Sequence, residues 1–116
     1  MNVDLAQLEQ HLSQLPGQIR TAEKTYIESQ GKVENAKLSL SVAQARAMTE
    51  SEEPNAQGKK AESIIATREE QHVLIQLQVE MDTKKAELEY LKNRFTALRK
   101  IASVETELIR SQLIGN

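Results

Sequence analysis

Residues 74–98 read LIQLQVEMDTKKAELEYLKNRFTAL, and the fold class follows from how apolar side chains recur in that stretch. Leu74, Met81, Leu88 and Phe95 stand seven residues apart, and the series continues without a miss through Ala102 and Ile109. The companion series Leu77, Lys84, Leu91, Leu98, Glu105 and Gln112 is apolar at half its positions. Apolar residues alternating at spacings of three and four make one stripe along an α-helix, and a strict seven-residue repeat of that stripe is a coiled-coil seam. Glu80 with Lys84 adds a helix-flank pair of the favourable sense, worth a few tenths of a kcal/mol. Thr67-Arg68-Glu69-Glu70 matches a capping box, so a long C-terminal helix is expected over 67–113.

Upstream, Ile19, Tyr26, Val33, Leu40 and Ala47 form a second apolar heptad series, and Ala22, Ser29, Ala36 and Ala43 form a companion series of small residues. A large residue at one seam position and a small one at the other lets two helices approach closely. This reading puts a long helix at 18–49. Before it, Leu5, Leu8, Leu12 and Leu15 mark a short N-terminal helix at 1–16, which Pro16-Gly17 is expected to end. Between the long helices, residues 50–66 hold Glu50, Glu52, Glu53 and Pro54, read as an acidic loop with a short helix that carries Ala61, Ile64 and Ile65 on one face. The expectation is one all-α domain over 1–116: a long antiparallel α-helical hairpin with short accessory helices. Ile27, Leu38, Val42, Ile75, Val79, Ile101 and Leu108 would form a second apolar edge, which argues for assembly into a homo-oligomer. Leu74, Leu77, Met81, Leu88, Leu91, Phe95 and Leu98 are read as the oligomer interface.

Composition agrees with this class. The 116 residues are 28% charged and 3% aromatic, with four Gly, two Pro and no Trp, so a sheet protein is excluded. The absence of cysteine removes disulfides, thiolate metal sites and a cysteine nucleophile. His11 and His72 lack metal-ligand spacing, and Gly58-Lys59-Lys60 lacks the upstream glycine and the Ser/Thr of a phosphate loop. The adjacent carboxylates Glu52-Glu53 and Glu69-Glu70 point about 100° apart on a helix and cannot share a site. No enzyme activity, metal or cofactor is expected. Without a basic and apolar leader or an apolar run of about 20 residues, the chain is expected to be cytoplasmic and to have no membrane partner.

Charge is unevenly distributed. Formal net charge is −2, yet 84–100 holds Lys84, Lys85, Lys92, Arg94, Arg99 and Lys100 against Glu87 and Glu89. Arg46 ends the first long helix and Lys59 and Lys60 follow the acidic loop. Repeated around an oligomer, such cations could follow a phosphate backbone. Arg46, Lys59, Lys60, Lys84, Lys85, Lys92 and Arg94 are therefore the candidate nucleic-acid-binding residues.

Three stretches carry a resemblance: Val42-Ala43-Gln44-Ala45-Arg46, residues 60–67 (KAESIIAT) and residues 88–100 (LEYLKNRFTALRK). With the layout of two long helices around an acidic loop, the chain over about 20–110 resembles the UvsY-like recombination mediators of bacteriophages. The resemblance implies a small all-α protein in a ring-like homo-oligomer, working in the host cytoplasm. It would bind single-stranded DNA and help a RecA-like recombinase displace single-strand-binding protein. Of the family's two basic residues near the end of the first long helix, Arg46 is matched and Gln44 departs. The alternative is a non-enzymatic coiled-coil α-hairpin, chaperone-like or a phage structural part, that binds only protein.

Overall fold

The computed structural model describes residues 4–114, and among these it contains three α-helices and no strand. They are α1 (Leu5–Glu50), α2 (Ala56–Ala66) and α3 (Arg68–Ile114). Asp4 caps α1, its Oδ1 accepting from the Ala6 and Gln7 N–H groups at 3.0 and 3.2 Å. Residues 1–3 of the expected first segment lie outside the described residues.

The expected break at Pro16-Gly17 does not occur, and the segments 1–16 and 18–49 are parts of one 46-residue helix with Pro16 inside it. The reason lies in the seam. Leu8, Leu12, Leu15, Ile19 and Ala22 keep the four-three alternation through the proline, and each is buried or half-buried. Pro16 itself is exposed, so its ring lies on the solvent side. An interior proline costs about 3 kcal/mol through a lost hydrogen bond and a ring clash. Packing of the apolar stripe on both sides of it outweighs that cost.

Residues 51–55 link α1 to α2. Asn55 is the N-cap of α2, accepting from the Gly58 N–H at 2.7 Å, so Pro54 lies in the linker just before the cap. Gly58 makes room here: a Cβ would stand 3.0 Å from Glu53 Oε2 and 3.1 Å from Glu53 Cβ, so Glu53 would have to shift by a few tenths of an ångström. The absence of that Cβ lets the acidic loop fold against the first turn of α2. The Ser51 hydroxyl closes the same loop by bonding Glu62.

The capping box at Thr67 is also corrected. The Thr67 hydroxyl donates to the Ser63 carbonyl at 2.8 Å and accepts from Gln71 Nε2 at 3.1 Å. Gln71 Nε2 also reaches the Ile64 carbonyl at 2.8 Å. Thr67 thus serves as C-cap of α2, with its N–H on the Ser63 carbonyl, and α3 begins one residue later. Ser63 and Thr67 are both buried, so a hydroxyl turned toward solvent at the α3 N-terminus would have left the Ser63 carbonyl less well satisfied.

The chain divides into two compact units: Met1–Lys24 with Lys85–Asn116, and Thr25–Lys84. In each, α1 and α3 run antiparallel. In the first unit Leu5, Leu8 and Leu12 line a recess with Ala102, Thr106 and Ile109, and Glu23 pairs with Lys92 at 3.7 Å. In the second, Ala36 and Ser39 face Val73 and Leu77 across a groove, and Lys32 pairs with Glu80 at 3.9 Å. Both pairs flank the seam. The most buried apolar side chains are Leu8, Leu15 and Leu88 in the first unit and Val33 in the second.

Candidate nucleic-acid interface

The seven candidate cations do not form one surface. Arg46 is exposed near the end of α1, and Lys60 is exposed on α2 beside the half-buried Lys59, all three in the second unit. Glu53, folded against Gly58, places a carboxylate one residue from Lys59. Lys84 is turned into the seam, half-buried at a position its heptad reserves for core. Arg94 is half-buried, and nine residues of helix separate it from Lys85. Nine steps of about 100° put the two on opposite sides of α3.

The remaining two belong to a series that the candidate set left incomplete. Lys85, Lys92 and Arg99 recur every seven residues on α3 in the first unit, and all three are exposed. Seven residues are nearly two turns, so the three cations form one stripe along a single flank of the seam. Lys92 is partly neutralised by Glu23, whereas Lys85 and Arg99 have no acidic partner among the described residues. Arg99 is held in place by Phe95, its guanidinium carbon 5.7 Å from the ring centroid. Lys100 extends the stripe, and with Thr96, Arg99 and Ser103 it lines a shallow depression. Arg99 and Lys100 were legible as part of a positive stretch. The seven-residue spacing was the signal that separates them from Arg94.

The residues read as an oligomer interface are buried or half-buried within the chain itself. Leu74, Leu77 and Met81 are half-buried in the second unit, as are Leu91, Phe95 and Leu98 in the first, where Leu88 is buried. They form the intrachain seam with α1. A heptad pattern cannot itself distinguish a partner helix in the same chain from one in another copy, and here α1 supplies the matching stripe. The second apolar edge, by contrast, is bare: Tyr90, Val104 and Leu108 in the first unit, and Ile27, Leu38, Val42, Ile75 and Val79 in the second, are each at least half exposed. Ile101, the remaining member on α3, is exposed to a lesser degree.

A groove of about 620 Å³ in the second unit is lined by Lys32, Asn35, Ala36, Ser39, Glu69, Glu70, Val73 and Leu77 and is open to solvent. It contains neither histidine. Among the described residues no three His, Cys, Asp or Glu side chains converge to hold a metal ion. No helix among them is long and apolar enough to cross a membrane. Comparison with protein-family models, curated proteins and solved structures finds no match to this chain.

Proposed function

We propose that the protein is a self-associating helical protein that binds single-stranded DNA along the basic flank of α3. By resemblance to the UvsY-like mediators, it would use that binding to help a RecA-like recombinase displace single-strand-binding protein, as a ring-like homo-oligomer. The observation that carries the reading is the stripe Lys85, Lys92 and Arg99, exposed, in register, and opposed by one carboxylate, Glu23. A chain with a formal net charge of only −2 does not repel a polyanion strongly, and a local row of cations on a repeated subunit multiplies a weak contact. Nothing in this role requires an active-site cavity or a cofactor.

A second reading is favoured by the bare apolar edge. Ile27, Leu38, Val42, Ile75 and Val79 suit a coiled-coil assembly protein that binds only other protein chains, chaperone-like or structural. Fluorescence anisotropy of labelled poly-dT at two salt concentrations separates the two. The DNA reading predicts saturable binding that weakens as salt rises, because phosphate neutralisation releases counterions. No binding at low ionic strength would leave the protein-only reading standing.

A further inference from the structure

We infer that this protein grips the phosphodiester backbone of its strand and leaves the bases unread, with one phosphate seated among Thr96, Arg99, Lys100 and Ser103 of α3. The inference rests on the single-stranded-DNA reading above and specifies which part of the ligand is held. These four residues lie at spacings of three, one and three, so they share one face across two helical turns. Together they line an open depression of about 260 Å³ in the first unit. Its lining is two cations and two hydroxyls, with no carboxylate and no ring.

The details suit an anion. Arg99 and Lys100 have no acidic partner among the described residues, so both charges are available. The Phe95 ring beneath the Arg99 guanidinium limits its rotamers, which lowers the entropy lost when it closes on a ligand. The Ser103 hydroxyl has no hydrogen-bond partner among the described residues and can donate. Thr96 already donates to the Lys92 carbonyl at 3.1 Å, so it shapes the edge of the seat and leaves donation to its neighbours. Lys92 and Lys85 continue the same flank toward the N-terminal side, at steps of seven residues or about 10 Å. A strand laid along the flank would meet a cation at each step.

The bases have no such provision. Single-strand binders that hold bases do so on exposed aromatic faces, each worth about 1–3 kcal/mol. Tyr90 is exposed, but it precedes Arg99 by nine residues and therefore stands on the opposite side of α3, within the apolar edge. Phe95 and Tyr26 are half-buried in the seam. Phe95 does meet the cationic flank, but its face already lies under the Arg99 guanidinium, so no aromatic face among the described residues is open to a base there.

The test compares two labelled oligomers of equal length, oligo-dT and its abasic counterpart, by anisotropy across a salt series. Backbone recognition predicts affinities equal within about twofold and parallel salt slopes of roughly −0.7 per phosphate neutralised. Arg99→Glu with Lys100→Glu should weaken both at least tenfold and flatten both slopes. The milder pair Arg99→Gln with Lys100→Gln should act in the same direction, with helicity checked by circular dichroism. A tenfold or greater loss on the abasic oligomer would overturn the inference. So would undiminished binding by both Arg99/Lys100 variants alongside loss in Arg46→Glu with Lys59→Glu, which would move the contact to the second unit while leaving the DNA reading intact. Absence of binding by the unmodified protein would overturn the DNA reading and this inference with it.

Discussion

Ser29 illustrates at the scale of one residue why these helices approach closely. It is buried in the second unit, and its hydroxyl donates to the Tyr26 carbonyl at 2.6 Å, which hides the polar atom within its own helix. Its smallness is the functional property. Ser29→Ala should therefore change stability by no more than about 1 kcal/mol, the typical net worth of one hydrogen bond. Ser29→Leu should cost about 1–3 kcal/mol, because the added methylenes have no room. Denaturant titration of the two variants checks the contrast, and an equal cost would mean the hydroxyl matters more than the volume. Leu88 is the converse case, a large side chain that is buried mid-helix. Leu88→Ala should cost about 2–5 kcal/mol in the same assay. A cost below 1 kcal/mol would place Leu88 outside the packed seam.

At the scale of the element, the seam was legible and the punctuation was misleading. Every position of the two heptad series in α1 is buried or half-buried, and the α3 series are so as far as Glu105. Beyond it Ile109 and Gln112 are exposed, where the pattern alone did not signal an end. Pro16 as a local signal ends a helix, yet the phase of Leu12, Leu15 and Ile19 on either side of it argues for continuity. Pro16→Ala should restore the N–H to Leu12 carbonyl bond and raise stability by up to about 3 kcal/mol, read as a higher Tm. An unchanged or lower Tm would mean that the proline relieves something the seam cannot. Thr67 failed for a different reason. Its letters fit a capping box, in which the hydroxyl oxygen would accept from the Glu70 N–H, but here the buried hydroxyl turns back to donate to the Ser63 carbonyl and accepts from Gln71 Nε2 instead. Such competition depends on burial, which spacing does not encode. The basic flank of α3 was partly legible: counting charge found the stretch, whereas only the helical phase sorts Lys85, Lys92 and Arg99 from Arg94 and Lys84.

At the scale of the whole molecule, two apolar surfaces compete for explanation, and the structure assigns them differently. The heptad seam is satisfied inside the chain by α1 and α3. The outer residues, from Ile27 and Leu38 to Tyr90 and Leu108, are left to water. Burying such an edge contributes roughly 25 cal/mol per Å² of apolar area, so several exposed Ile, Leu and Val side chains in each unit favour further copies. Under the proposed function, assembly and nucleic-acid binding would be complementary, since Lys85, Lys92 and Arg99 occupy the flank of α3 and Tyr90, Val104 and Leu108 its outer face. Division into two compact units was not legible, because both long helices run through it without a break in pattern. The central claim is that the seam is internal and the outer edge is the assembly surface. The measurement that tests it most directly is the light-scattering mass of the purified protein at micromolar concentration. The account predicts a species several times 13.0 kDa that shifts toward the single-chain mass, with helicity retained, in the variant Ile75→Glu with Val79→Glu. A monodisperse 13.0 kDa species for the unmodified protein would contradict it.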